Sequence, residues 1–143
     1  MKVLYSLLLL ASLCLIGGCQ NSGDNTMVLL DEKVREINVS KSGGMGDMNQ
    51  DIMLSFNDQE SIKVFEKAIR TAVKQPPTTF IHEVKPDYDV MVEYDVGFPT
   101  HAIHLWLGEK DEQITLIYMV GDGETYLTTK KTTNQLRELI LSD

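Results

Sequence analysis

Apolar and polar residues alternate at Ile37 and Val39, and again at Ile52, Leu54 and Phe56, on either side of the cluster Ser42-Gly43-Gly44-Met45-Gly46-Asp47. Alternation with period 2 marks a strand with one buried face, and a Gly-rich break between two such runs predicts a hairpin. The period then changes. From Gln59 to Lys74 the apolar residues Ile62, Phe65, Ile69, Ala72 and Val73 share one stripe at helical spacing. Asn57 as N-cap, with Glu60 three residues on, reads as a capping box, and Pro76-Pro77 ends the helix. Residues 75–86 read as a crossing loop with Phe80, Ile81 and Val84 as its buried pins.

Strict alternation returns at Tyr88, Val90, Val92, Tyr94 and Val96, with Asp89, Met91, Glu93 and Asp95 opposite. That pattern predicts an antiparallel strand with one solvated side. His101–Leu107 and Ile114–Val120 are further strands, separated by a charged turn, and Gly121-Asp122-Gly123 leads into a hairpin strand over 124–128. Thr132 and Gln135 form a second capping box, opening a short helix that buries Leu136, Leu139 and Ile140. The order ββαββββα favours the α+β class. The expected architecture is a single antiparallel or mixed sheet of about five to six strands, with two helices packed on one face.

The first 18 residues follow a different logic. Lys2 is the only charge, Val3 to Ile16 is apolar apart from Ser6 and Ser12, and Gly17-Gly18 stands directly before Cys19. A basic start, an apolar core and a small-residue site define a secretory signal. As a helix the apolar core spans roughly 21 Å, short of a ~30 Å hydrocarbon layer, so it makes a poor permanent membrane span. Ile16-Gly17-Gly18-Cys19 resembles the lipobox of bacterial lipoproteins. The likeness implies that Gly17 and Gly18 flank the cleavage site and that the Cys19 thiolate, the nucleophilic form, takes a diacylglyceryl group. Two acyl chains make attachment stable where one is marginal. Gln20–Thr26 is wholly polar with one Gly, and reads as a tether. The expected divisions are therefore 1–18 signal, 19–26 lipid-anchored tether and 27–143 a single α+β domain.

Charge and cysteine content narrow the partners. Residues 1–18 hold one of the 13 basic side chains and none of the 21 acidic ones, so the remaining 125 residues carry a net −9. Such a surface repels phosphate backbones, which excludes nucleic acid as an electrostatic partner, and it gives no grip on anionic lipid. Cys14 leaves with the signal and Cys19 is consumed by lipid, so the domain folds without a disulfide or a Cys-based metal site.

Beyond the lipobox, EINVSKSGGMG, FEKAIRTAVKQP, KPDYDVMV and HAIHLWLG are similar to the YhfM-like family of small Gram-positive lipoproteins. They are spread over most of residues 36–108. The resemblance implies a fold unit and a location; it implies no activity.

Candidate chemistry is sparse. In His101-Ala102-Ile103-His104 the two imidazoles point to opposite faces of a strand, unlike an HxxH pair on a helix, and nothing brings His82 to them. Met45, Met48 and Met53 carry thioethers that could hold Cu(I), but Asp47 and Asn49 among them are hard ligands, so gap-filling is the simpler reading. Gly43-Gly44-Met45-Gly46 precedes a strand, not the helix N-terminus that a phosphate cradle needs. Asp89, Glu93 and Asp95 share a strand face at carboxylate-pair spacing, which a solvated face of an acidic protein explains with no further assumption. No GxSxG, SxxK or HExxH string occurs. Trp106 on an apolar central strand is expected in the core; if it faces outward together with His104, those two are the first choice for a recognition surface. The sequence thus points to a lipid-anchored extracytoplasmic protein with a non-enzymatic binding or interaction domain, needing no cofactor and no metal. Its partners are the membrane, through diacylglyceryl-Cys19, and an envelope protein or small ligand. The alternative is a small envelope hydrolase or metal-handling lipoprotein.

Overall fold

The computed structural model of the protein describes residues 25–77 and 84–142. The signal and lipobox readings, including Gly17, Gly18 and Cys19, lie outside these residues, as do Phe80, Ile81 and His82. Among the described residues no helix is long and apolar enough to cross a membrane.

Seven strands form one antiparallel sheet: β1 (Val34–Lys41), β2 (Ile52–Phe56), β3 (Val73–Lys74), β4 (Tyr88–Tyr94), β5 (His101–Trp106), β6 (Thr115–Tyr118) and β7 (Thr125–Leu127). Their spatial order is β2-β1-β4-β5-β6-β7-β3. Two helices complete the fold, α1 (Gln59–Arg70) and α2 (Lys130–Leu141). The α+β class holds; the strand count is seven rather than five to six.

The additional strand comes from the end of the first helix. The helical stripe does not run to Lys74. Thr71 caps α1, its N–H donating to the carbonyl of Lys67 while the Ala72 N–H donates to that of Ile69. The β-branched Thr71 and Val73 weaken a helix at this point, and the chain gains more by pairing Val73–Lys74 with β7. Val73 is consequently 46% exposed, not buried on the stripe. Both N-caps also shift. Asp58, not Asn57, accepts from the Ser61 N–H at 2.8 Å, and Thr129, not Thr132, accepts from the Thr132 N–H and starts α2 one turn earlier.

The core lies between the helices and one face of the sheet. Ile37 and Val39 of β1, Val90 and Val92 of β4, Ile103 and Leu105 of β5 and Leu116 of β6 meet Ile62, Phe65 and Ile69 of α1 and Leu136 and Ile140 of α2. Register explains the match: Ile37 pairs with Val92, Val39 with Val90, Val90 with Ile103 and Leu105 with Leu116, so every second residue points the same way.

The opposite face departs from expectation. It carries Asn38, Ser40, Asp89, His104, Trp106 and Ile117, and all six are buried. Asp89 therefore does not lie on a solvated face. Two loops reach this side: Asn49 donates its backbone N–H to Asp89 Oδ2 at 3.1 Å, and Trp106 Nε1 donates to the Val84 carbonyl at 2.9 Å. Glu93 remains partly open, bound by Arg35 at 2.7 Å and by Asn38 Nδ2 at 3.0 Å.

Candidate functional site

Two clusters of polar side chains stand out, one on each face. The first forms where β4 turns into β5 and β6 turns into β7. Tyr94 Oη lies 2.8 Å from His101 Nδ1, and the His101 ring packs against Tyr118 with centroids 5.8 Å apart. The incoming segment Met27–Leu30 is fastened here. The Val28 N–H donates to Tyr118 Oη at 2.7 Å, the Tyr118 hydroxyl donates to the Val28 carbonyl, and the Leu30 N–H donates to Tyr94 Oη at 3.2 Å. From α1, Arg70 Nη2 donates to the Leu30 carbonyl at 2.7 Å and Nη1 to that of Leu29 at 3.4 Å. Upstream, Asn25 accepts from the Lys74 N–H and Met27 donates to the Ala72 carbonyl, with Thr26 bridging to Val73.

Electrostatics follow from this packing. Burial lowers the pKa of His101 from its ordinary 6.5, and the positive charge of Arg70 adds to the effect. Burial likewise raises Tyr94 and Tyr118, although the backbone donors of Leu30 and Val28 and the charge of Arg70 pull the other way. The imidazole is thus neutral at pH 7. Because the Leu30 N–H occupies the Tyr94 oxygen, the tyrosine hydrogen is free to go to Nδ1, leaving the ring proton on Nε2. Among the described residues Arg70 also pairs with Glu66 at 4.0 Å, and the hydrogen bonds of this cluster run to the backbone of residues 28–30 or between its own members. Its chemistry is that of a latch.

The second cluster is the buried row on the opposite face. Asp89 pairs with Ser40 on one side and His104 on the other. Asp89 Oδ1 lies 2.9 Å from His104 Nδ1, and Ser40 Oγ has no hydrogen-bond partner among the described residues. Serine, histidine and aspartate invite comparison with a hydrolytic triad. In such a triad the imidazole stands between hydroxyl and carboxylate. Here the carboxylate stands in the middle, and two strand spacings put Ser40 and His104 about 9–10 Å apart. All three side chains are closed to solvent. The row pins the Asn49 loop to the sheet.

His104 and Trp106 do share a face, their rings meeting edge to face at 6.0 Å. They do not face outward together: His104 is 1% and Trp106 7% exposed. The expected recognition surface is therefore closed, with Trp106 forming one wall of a hollow of about 240 Å³ lined also by Val84, Lys85, Asp87 and Glu112. His101 and His104 point to opposite faces, as the strand spacing required. Among the described residues no group of three or more His, Cys, Asp or Glu side chains converges on a point where a metal could sit. A second hollow, of about 350 Å³, lies between Lys74–Pro77 and Asp122–Thr125. Lys74 pairs with Glu124 there, and Glu124 accepts from Tyr126 Oη at 2.9 Å; burial, helped by that hydrogen bond, pushes the tyrosine up to about 12.

Of the latch, the sequence singled out only Tyr94, by strand alternation, and His101; Tyr118, Arg70 and the path of Met27–Leu30 were missed, because their convergence depends on register and on long-range placement. Comparison with known families then matches residues 31–143 to the model of the YhfM protein. The chain belongs to the YhfM family. The match begins just after the latched segment and takes in the whole sheet and both helices. Comparison with curated proteins finds no match. Among solved structures, the YhfM domain is similar to a thioesterase-like protein from Clostridium sporogenes ATCC 15579, at 18% identity and a TM-score of 0.54. The alignment covers 77% of this chain and 96% of that one. At such identity the likeness is one of fold.

Proposed function

We propose that this protein is a lipid-anchored extracytoplasmic lipoprotein whose YhfM domain serves as a non-enzymatic binding or interaction module held against the outer face of the cell membrane. The observation that carries this reading is the order of the first 19 residues, an apolar core followed by Ile16-Gly17-Gly18-Cys19. The latch supports it: a domain restrained through its N-terminus needs the entering segment fixed to its sheet, and Val28–Leu30 is held by Tyr118, Tyr94 and Arg70. A hydrolase reading draws on the thioesterase-like neighbour, but the buried Ser40–Asp89–His104 row offers neither the order nor the access that acyl transfer requires.

The test is metabolic labelling of the full chain with palmitate in a bacterial host. Cys19→Ser keeps size and polarity but replaces the thiolate with a hydroxyl too weakly acidic to attack, so labelling is lost. Cys14→Ser leaves it unchanged. Equal labelling of wild type and Cys19→Ser overturns the assignment.

A further inference from the structure

Of the large apolar side chains among the described residues, the two most exposed are Val96 at 93% and Val120 at 89%. Single exposed valines are ordinary on a protein surface. Their placement is not. Val96 lies in the β4–β5 turn together with the exposed Phe98, and Val120 lies in the β6–β7 turn. Register brings the two turns to one end of the sheet: Val92 pairs with His101, Ile103 with Tyr118, and the Met119 N–H donates to the Ala102 carbonyl. The entering segment is latched at this same end, with the exposed Val28 held between Tyr118 and solvent. The other end of β5 has a different character, its turn carrying Glu109, Lys110, Asp111 and Glu112.

Chain length decides what these residues meet. Asn25 is fixed beside Lys74. Five residues, Gln20 to Asp24, separate it from the lipid-bearing Cys19, and the chain from Cys19 to Asn25 reaches about 20 Å at full extension. An anchored domain is thereby confined with its latched end toward the bilayer. Asp95, Asp122 and Glu124 flank the apolar tips, so anionic headgroups give no attraction and contact rests on apolar side chains entering the interface. Such contact is too weak to recruit a free protein. The tether holds the tips at high effective concentration beside the surface, where weak contact suffices.

We infer that Val96, Phe98 and Val120 form a docking surface for the lipid bilayer in which the protein is anchored, setting the orientation of the domain with the β5–β6 turn pointing away. This rests on the lipid-anchored reading, and the experiment separates the two. Lipidated full-length protein with Val96→Cys, Val120→Cys or Lys110→Cys is labelled with an environment-sensitive fluorophore and reconstituted into phosphatidylcholine vesicles. Labelling is site-specific, because Cys14 leaves with the signal and the Cys19 sulfur is blocked. Blue-shifted emission and quenching by lipid-borne nitroxide are expected at 96 and 120 and not at 110, with the effect reduced when phosphatidylglycerol is added. Probes at 96 and 120 that stay aqueous on a chain carrying palmitate at Cys19 overturn the docking alone, as does an equal response at 110. Absence of palmitate at Cys19 overturns the anchor and the docking with it.

Discussion

Asp89 and His104 meet at 2.9 Å, Oδ1 to Nδ1, on the sheet face that the helices leave uncovered, and neither side chain reaches solvent. The second oxygen of Asp89 accepts the Asn49 N–H from the β1–β2 loop. One carboxyl group thus joins a central strand, its neighbour and a loop that crosses them.

Removing that group leaves two donors unpaired in a closed site. Each such group costs about 1–3 kcal/mol, so Asp89→Ala is expected to destabilise the domain by about 2–6 kcal/mol in a urea titration. Combining it with His104→Leu removes one of the two orphans, and the double variant is expected to be less destabilised than the sum of the singles by at least about 1 kcal/mol. Additive effects would show that the two side chains are independent.

Phe65 sits mid-stripe on α1, 1% exposed, with its ring 5.3 Å from that of Phe56 on edge strand β2. It couples the helix to the outermost strand of the sheet. Phe65→Ala is expected to lose about 3–5 kcal/mol, and Phe65→Leu distinctly less because most of the volume is kept. A loss below about 1 kcal/mol for the alanine variant in a denaturant titration would place the core on another face of α1.

These two residues mark how far the sequence could be read. Phe65 was legible because its burial follows from local helical spacing alone. So were the opposed directions of His101 and His104, which follow from strand geometry. Asp89 was legible only in part. Alternation put it opposite Val90 correctly, but burial of that face comes from contacts of Asn49 and Val84, and loop paths leave no periodic trace. The two-residue β3 failed for a related reason: Val73 and Lys74 continue a helical pattern locally, and only the distant partners Leu127 and Tyr126 draw them into the sheet. The latch required three such long-range placements at once.

The last prediction concerns the latch and pH. Burial and Arg70 hold the His101 pKa below its ordinary 6.5, so the folded state binds the imidazole proton less readily than the unfolded chain. Stability then rises with pH wherever the unfolded chain carries more protons. The contribution is present in full above pH 6.5 and is lost as pH falls from 6.5 through the lower folded value. Protonation also turns Nδ1 from an acceptor of the Tyr94 hydroxyl into a donor, and Tyr94 already accepts from Leu30. The shifted carboxyl groups Asp58 and Glu124 are held below their ordinary 3.8 and 4.5, outside this window. Wild-type protein is therefore expected to lose stability on acidification just below pH 6.5, and His101→Gln to show a shallower slope over the same range. The protection of the Val28 and Leu30 amides against hydrogen exchange, corrected for the slower intrinsic exchange at lower pH, is expected to fall in the wild type over that interval, since both N–H groups belong to the latch. Parallel stability curves for wild type and His101→Gln would mean that the proton is taken up elsewhere.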